Sequence, residues 1–389
     1  MQTPIPVLLG ADLNCYGMAR AFFEAYGVKS YAFGKCELGA IKHSRIINFT
    51  KIPPLGDGRR VLDILEKFAK TAPEKPYIFG CTDEYALFII KNKRELSKSY
   101  ICLCPDEDII DKISDKVEFY KHCASLDIPF PEYVELASPA DENVLSRLPF
   151  GYPVIIKPSS SIKYWHHPFD GMKKVYEAEN RAEAERIMAE IFASGYDGKI
   201  IVQRKIDGEQ YVITNFSSNG IVSASCTGRV LLGEATPKGL GNHVAILTEH
   251  VEKIEALTAK FLKSVSYTGF SNFDIMREKS TGKFYLLEIN PRQGRSNHYM
   301  TAAGVNIASA AVEGKSFLPY REIFWHSVPT KIVKSFVSAA DAAKISRLSR
   351  QNLSFSPLFY PYDMIDPRRA AYILLHNVGF YKKYRADEN

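Results

Sequence analysis

Oxygen-bearing side chains stand in two adjacent apolar segments, Phe270–Met276 and Phe284–Ile289. Asp274 lies in the first segment, and Glu288 and Asn290 lie at the end of the second. A turn-type sequence between the segments predicts a β-hairpin, and residues two apart on a strand point to one face. The hairpin would bring the three side chains together. Oxygen ligands with no adjacent His or Cys cluster suit a hard cation such as Mg²⁺, held partly through nucleotide phosphates.

Two arginines, Arg292 and Arg295, follow within five positions of Asn290. A cation that bridges phosphates, placed beside fixed positive charge, is what phosphoryl transfer requires. The alternative is a surface hairpin with ordinary charges. The position of the ligands in strongly apolar segments favours a binding site.

The spacing Asp274-x13-Glu288-x-Asn290-Pro-Arg292 resembles the metal-binding signature of ATP-grasp carboxylate–amine ligases. The resemblance implies a two-lobed fold that binds ATP, with Asp274, Glu288 and Asn290 holding Mg²⁺ or Mn²⁺. It also implies a reaction in which ATP converts a carboxylate into an acyl phosphate that an amine then attacks.

Composition is that of a globular protein with more than one core. A chain of 389 residues, 46% hydrophobic and 24% charged, predicts two or three domains. The net charge of +6 is modest and its lysines and arginines are scattered. This favours an enzyme that acts on polyanionic small molecules over a nucleic-acid binder.

The expected location is the cytoplasm. The N-terminus enters a strand-like segment without a basic leader, so we expect no signal peptide. No apolar run approaches the roughly 18 residues of a membrane span. Seven cysteines without paired metal-ligand spacing indicate reduced thiols.

Residues 1–110 alternate strands and helices, which predicts a Rossmann-like α/β domain with a parallel sheet. Ligands of such sheets lie beyond the carboxyl ends of the strands. Four polar residues follow two of these strands, and they either contact substrate or only cap the next helices. They are Asp12, Asn14, Thr82 and Asp83.

Residues 111–315 are expected to form the ATP-grasp domain, with a small lobe at about 130–205 and a large lobe at about 206–315. A helix is predicted over residues 111–125, with Asp115 and Glu118 as a capping box. Lys116 in its first turn is disfavoured by the helix dipole unless an anion is near. The resemblance makes Lys116 a nucleotide-binding residue; the alternative is a solvated surface lysine.

Lys157 closes an apolar strand, where its charge must emerge or be paired. The polar segment 159–171 follows and predicts a flexible loop able to fold over phosphates. The resemblance assigns Lys157, Ser160 and Ser161 to ATP.

The strand predicted over residues 199–206 would link the two lobes. The resemblance places adenine against the backbone near Arg204 and Ile206, with Gln203 where an acid is commoner, and ribose at Glu209. The alternative is a plain edge strand.

Arg229 lies inside the next long strand, where it needs a partner, and a triphosphate would supply one.

The resemblance becomes narrower in three segments that look like bacterial D-aspartate ligases. The likeness implies that Arg292 stabilises the transferring phosphoryl group and that Arg295 and Ser296 orient the acid. The glycine-rich loop with Lys238 either receives the acceptor or is an ordinary strand connection. The likeness implies D-aspartate as the acid, activated at its β-carboxylate, and a lysine side chain of a UDP-MurNAc-peptide as the amine. Asn272 stands where some related ligases carry arginine. Other amino acids or a small metabolite remain the alternative. The three segments are PVLLGADLNCYGMARAFFEAYG, TPKGLGNHV and GFSNFDIM through EINPRQGRS.

Residues 316–389 are expected to form a C-terminal extension. A strand is predicted over Lys331–Val337 and a helix over Ala339–Leu348. The basic, aromatic segment Arg368–Tyr384 either docks on an anionic membrane or packs on the body, and packing is the more ordinary role.

Overall fold

The computed structural model describes residues 3–235, 239, 241–314 and 319–384. Lys238 of the predicted acceptor loop lies outside the described residues. The described chain forms three sheets.

The first described sheet is parallel, with the order β3-β2-β1-β4-β5. Buried apolar strands alternate with amphipathic helices here, which confirms the predicted α/β region. Its elements are β1 (Pro6–Leu9), α1 (Leu13–Tyr26), β2 (Ser30–Gly34), β3 (Ile47–Lys51), α2 (Gly58–Thr71), β4 (Tyr77–Gly80), α3 (Asp83–Lys91), α4 (Lys93–Leu96) and β5 (Ile101–Cys102).

The helix predicted over residues 111–125 is two helices, α5 (Glu107–Ile113) and α6 (Lys116–Ser125). The break comes at Asp115, whose carboxylate accepts from the N–H of Val117 at 2.9 Å and so caps α6. Glu118 binds Lys121 instead of completing the predicted capping box.

The second described sheet is antiparallel, with the order β6-β9-β7-β8. Helix α8 covers it, begins after the cap residue Asn180 and buries Ile187, Met188 and Ile191. Its elements are β6 (Tyr133–Leu136), β7 (Val154–Pro158), α7 (Ser161–Trp165), β8 (Tyr176–Ala178), α8 (Arg181–Ala193) and β9 (Ile200–Arg204).

The third described sheet has the order β14-β13-β10-β11-β12-β15-β16. The predicted hairpin is its edge pair, β13 and β14. Helix α9 packs on one face through Ile254 and Phe261, and α10 and α11 pack on the other. Its elements are β10 (Gly208–Ser218), β11 (Ile221–Gly233), β12 (His243–Thr248), α9 (Glu252–Ser264), β13 (Gly269–Glu278), β14 (Phe284–Asn290), α10 (His298–Ala302), α11 (Ile307–Glu313), β15 (Phe324–His326) and β16 (Ser354–Phe355).

The prediction of a strand over Lys331–Val337 is wrong, because this segment is helix α12 (Thr330–Phe336). Its apolar residues Ile332 and Val333 are buried against Ile345 and Leu348. These partners belong to α13 (Ala339–Arg350), the helix predicted there. A short apolar run does not by itself distinguish a strand from a buried helix.

The last described helix, α14 (Pro367–Lys383), is anchored on the body. Arg369 is fully buried and its Nε lies 2.7 Å from Oδ2 of Asp363. The hydroxyl of Tyr16 in α1 donates to the same carboxylate oxygen at 2.8 Å. The inner face of the tail helix therefore packs as one alternative predicted, while Leu375 on its outer face is 74% exposed. None of the described helices has the length and apolar character to cross a bilayer.

Candidate active site

The register of the hairpin places Asp274 opposite Glu288 and Asn272 opposite Asn290. Paired residues of an antiparallel ladder project to the same face. The amide nitrogen of Asn290 donates to the carbonyl of Asn272 at 3.5 Å. Because this bond uses the amide nitrogen, the amide oxygen of Asn290 is the atom that the predicted metal site would use.

Glu288 is bound by two lysines from different parts of the chain. Its Oε2 lies 3.2 Å from Nζ of Lys116, and its Oε1 lies 2.9 Å from Nζ of Lys174. Burial raises the pKa of this carboxyl, but Lys174, Lys116 and Lys157 outweigh it and hold the pKa well below its usual range. Glu288 is therefore ionised and surrounded by positive charge, as a site for a polyphosphate requires.

Asp274 has the opposite character. Burial, with the charge of Glu288 as a second cause, raises its pKa to about 7. Its buried Oδ1 accepts no hydrogen bond among the described residues, and Nε2 of His243 lies 3.5 Å away. A buried carboxylate oxygen without a donor, beside a second carboxylate and an amide oxygen, fits Mg²⁺ held partly by phosphates.

Lys157 is buried at the end of β7, as its predicted role in the site requires. Its Nζ donates to the hydroxyl of Tyr120 at 3.1 Å, and that hydroxyl donates to Oε1 of Gln203 at 3.0 Å. Burial and then the charge of Lys116 lower the pKa of Lys157 to about 7. A buried ammonium without a carboxylate in contact is poised to gain from an incoming anion.

A cavity of about 570 Å³ lies over these groups. Its volume falls within the roughly 300–1,000 Å³ of small-molecule sites. The described residues around it come from β14 and the loop after it, from helices α3, α5, α6 and α7 and their flanking residues, and from the segments at Lys174 and Asn242. They include Thr82, Asp83, Lys116, Trp165, His166, Lys174, Asn242, Glu288, Asn290 and Arg292.

Arg292 enters this cavity from the loop after β14. Its Nε lies 2.7 Å from Oδ1 of Asp83, the first residue of α3. Burial opposes the charge of Arg292, but the Asp83 carboxylate outweighs it and raises the pKa of the guanidinium. Arg292 is therefore a fixed cation beside the predicted metal ligands.

Arg295 and Ser296 lie one turn further along the same loop. Nη1 of Arg295 lies 3.1 Å from Oε2 of Glu234, and Ser296 is buried. The loop is held against the N-terminal sheet by Gln293, whose side chain donates to Oδ1 of Asn14 at 3.0 Å and to the carbonyl of Gly80 at 3.2 Å.

The segment after β7 contains the short helix α7, which the flexible-loop prediction did not include. Ser160 caps it, and the backbone N–H of Ser160 donates to the hydroxyl of Tyr196 at 3.2 Å. Ser161 is the first residue of α7. Trp165, at its end, is 49% exposed and lines the cavity.

At the predicted adenine site, Gln203 is buried and Ile206 nearly so. The backbone N–H of Arg204 donates to the carbonyl of Glu132 at 2.9 Å, so this N–H is already bonded. The side chain of Arg204 binds Glu278 at 2.6 Å.

Comparison with known proteins decides the family. A family model of the ATP-grasp domain matches residues 113–296. D-aspartate ligase from Enterococcus faecium (strain Aus0004) is 32% identical, and the match covers 98% of this chain and 96% of that protein. The chain belongs to the ATP-grasp ligases. The predictions of fold class, of an ATP-dependent ligase joining a carboxylate to an amine, and of likeness to D-aspartate ligase are confirmed.

Other relatives of this ATP-grasp ligase match less of the chain or at lower identity. D-alanine–D-alanine ligase from Xylella fastidiosa is 25% identical over 47% of this chain and 60% of its own length. L-amino acid ligase from Bacillus licheniformis superimposes with a TM-score of 0.59 at 14% identity, covering 82% and 76% of the two chains. The biotin carboxylase domain of Hydrogenobacter thermophilus 2-oxoglutarate carboxylase, solved with MgADP, gives 0.61 at 14%, covering 82% and 72%. These two structures show likeness of fold.

The assignments of Arg229 and Glu209 to ATP need correction. The register places Arg229 beside Tyr211 and Ile275, on the face of the ligase's sheet opposite to Asp274. There it binds Glu249 at 3.0 Å, together with Asp341 and Glu209. Its partners are carboxylates of the protein, which contradicts the predicted phosphate role. Glu209 shares that face and also binds Arg277 at 3.3 Å.

Three residues of the ligase site were missed by sequence reasoning. Lys174 follows the polar segment 159–171 and binds Glu288. Gln210 lies on the face of Asp274, and its Nε2 lies 3.0 Å from Nε2 of His243. Strand alternation could have favoured Gln210 over Glu209 once Asp274 was assigned. Nothing in the local sequence singled out Lys174.

The four polar residues of the N-terminal loops make different contacts, and two of them also support the loop that carries Arg292. Thr82 caps α3 and lines the cavity, and Asp83 lines it and binds Arg292. Asp12 accepts from the N–H of Cys15 at 3.2 Å, as a helix cap does. Asn14 donates to the carbonyl of Gln293 at 2.8 Å, so it supports the arginine loop.

Proposed function

We propose that this ligase uses ATP to activate the β-carboxylate of D-aspartate and joins it to a primary amine, the lysine side chain of a UDP-MurNAc-peptide. The observation that carries the proposal is the full-length likeness to D-aspartate ligase. It is supported by a cavity in which Lys116, Lys174 and Arg292 lie around the carboxylate of Glu288.

The first step is transfer of the γ-phosphoryl group. A carboxylate oxygen of the acid attacks the γ-phosphorus, the bond to the β-phosphate oxygen breaks, and ADP leaves. Lys116 and Lys157 hold the phosphates, and Lys174 is a further candidate because it binds Glu288. Asp274, Glu288 and Asn290 would hold Mg²⁺, which when bound neutralises phosphate charge. The hinge around Gln203, Arg204 and Ile206 receives adenine, with Ser160 and Ser161 over the phosphates.

The second step is amide formation. The amine nitrogen attacks the acyl carbon, a C–N bond forms, the C–O bond to phosphate breaks, and the nitrogen loses its proton. Arg292 is positioned by Asp83 to stabilise the charge that develops in both steps. Arg295 and Ser296 hold the acid. Lys238 stays a proposed residue of the acceptor loop.

A screen for ADP release tests the proposal. The purified ligase is assayed with Mg-ATP, individual D- and L-amino acids, and a UDP-linked muropeptide present or omitted. We expect ADP release that needs both D-aspartate and the muropeptide, with a product whose mass equals their sum minus water. Faster ADP release with another amino acid, or with two free amino acids, would replace D-aspartate ligation by the alternative.

A further inference from the structure

A second cavity, of about 250 Å³, lies beneath the tail helix α14. Asp12 and Arg295 line it on the side of the active site, and Tyr372, His376 and Phe380 line it from α14. The tail helix is therefore part of its wall.

The two cavities share a partition. Oε2 of Glu234 accepts from Nη1 of Arg295 at 3.1 Å and from Nδ2 of Asn242 at 3.3 Å. Asn242 lines the first cavity, and Glu234 and Arg295 line the second. Among the described residues, these hydrogen bonds join the wall of the first cavity to the wall of the second.

The lining of the second cavity has a charged part and an apolar part. The carboxylates Asp12 and Glu234 line it together with two cations, Arg295 and Lys383, while Ile373 and Phe380 provide apolar wall. Arg295 is paired with Glu234. A cavity left by imperfect packing is typically lined by apolar groups, whereas this lining includes charged ones. An ammonium group on an aliphatic stem can bind the Asp12 carboxylate and pack its stem against the apolar wall.

The volume of the second cavity also limits the size of the ligand that it can hold. The second cavity is smaller than the roughly 300–1,000 Å³ of pockets that enclose a drug-sized molecule. It can accept one amine-bearing side chain, and the remainder of a larger acceptor would stay outside. The first cavity has the volume for the nucleotide.

The direction of attack fits this division. In-line phosphoryl transfer places the acid and ADP on opposite sides of the transferring group. The amine that attacks the acyl carbon must come from a region that the nucleotide does not occupy. The second cavity is such a region, and Arg295, the residue proposed to orient the acid, lines it.

We propose that the second cavity binds the amine-bearing side chain of the acceptor, with its nitrogen toward Asp12 and Glu234 and its aliphatic stem along α14. This inference rests on the proposed function. It gives the tail helix the role of selecting the acceptor.

A pair of variants on adjacent residues of α14 tests the proposal. His376→Trp fills the second cavity, whereas Leu375→Trp adds the same side chain on the outer, 74% exposed face. We expect His376→Trp to raise KM for the muropeptide about tenfold or more. KM values for ATP and D-aspartate should stay unchanged. Leu375→Trp should match the wild type in all three.

Hydroxylamine separates failure of this inference from failure of the proposed function. It is small enough to trap the acyl phosphate as a hydroxamate without occupying the cavity. Hydroxamate formation from D-aspartate at equal rates in wild type and His376→Trp, with the raised muropeptide KM, supports the cavity. Equal hydroxamate rates with an unchanged muropeptide KM would overturn it and leave D-aspartate activation standing. Loss of both activities in His376→Trp would also overturn it, because the change would then act on the active site as a whole. Wild type that forms no hydroxamate from D-aspartate would remove the proposed function and the inference with it.

Discussion

Asp83 and Arg292 form an ion pair, with 2.7 Å between Oδ1 and Nε, that joins helix α3 of the N-terminal region to the loop after the β13–β14 hairpin. The two residues lie far apart in the sequence, and each follows a strand of a different sheet. Because the guanidinium is held from one side by Asp83, its other donors keep a defined direction. The N-terminal region therefore helps to position Arg292, the residue proposed to act in catalysis.

Glu288→Gln tests the metal assignment. The change keeps the shape of the side chain but removes the charge that a divalent cation and two lysines share. We expect turnover to fall at least about a hundredfold and the unfolding free energy to fall by up to about 3 kcal/mol, since Lys116 and Lys174 lose a buried partner. Circular dichroism and ADP release measure the two effects. Glu249→Gln, on the opposite face of the sheet, is the matched control and should retain turnover; near-normal turnover in Glu288→Gln would exclude this residue from the metal site.

Lys157→Met tests whether Lys157 binds the nucleotide phosphates. Its effect on the stability of the free protein should depend on pH. The folded pKa of about 7 lies below the ordinary 10.5, so the native protein binds fewer protons than the unfolded chain between these values. Stability from this group therefore rises with pH from about 7 to 10.5. The methionine variant should be more stable than wild type below pH 7, and the difference should shrink toward pH 10.5. Thermal melts without ATP at pH 6 and pH 9 measure it.

The same variant should also take up fewer protons than wild type when ATP binds. A triphosphate near Lys157 favours the ammonium, so wild type should take up protons when Mg-ATP binds at pH 8. Calorimetry in buffers of different ionisation enthalpy measures this uptake. We expect a smaller uptake in Lys157→Met and turnover lower by about a hundredfold. Wild-type turnover in the variant would place the triphosphate elsewhere.

Arg229→Met tests whether Arg229 binds carboxylates of the protein and not the phosphates of ATP. Its guanidinium binds Glu249 and Asp341, so its loss should lower the unfolding free energy by about 2–3 kcal/mol, below the 3–5 kcal/mol of a fully buried pair. KM for ATP and turnover should stay close to wild type at a temperature where the variant is folded. A large rise in KM for ATP in the folded variant would restore the phosphate role.

The segment 159–171 should close over bound nucleotide, as active-site lids do. Trp165 provides the signal, because it is 49% exposed at the cavity and the second tryptophan, Trp325, is fully buried. We expect Mg-ATP to shift the emission of Trp165 to shorter wavelength and to slow proteolysis within the segment. Trp165→Phe should abolish the shift. Cleavage there at the same rate with and without Mg-ATP would contradict closure.

Local sequence determined the hairpin of Asp274, Glu288 and Asn290 and the parallel sheet of residues 1–110. The reason is that alternation along a strand and the turn between two strands are local properties, and they fix which side chains share a face. The same alternation placed Lys157 at the end of its buried strand. The tail segment Lys331–Val337 was misassigned because its short apolar run fits either a strand or a helix, and burial against α13 decided for the helix.

Tertiary structure alone decided which charges meet. Arg229 carried the same local signal as Lys157, a cation within an apolar strand. Its partners are Glu249 and Asp341, the second of which lies 112 positions away in the tail. Lys174 carried no local signal, yet it binds Glu288, 114 positions away. Ion pairs between distant segments depend on how the sheets pack and not on spacing along the chain. The hairpin could therefore be predicted from the sequence, whereas the cations around it could be predicted only in part.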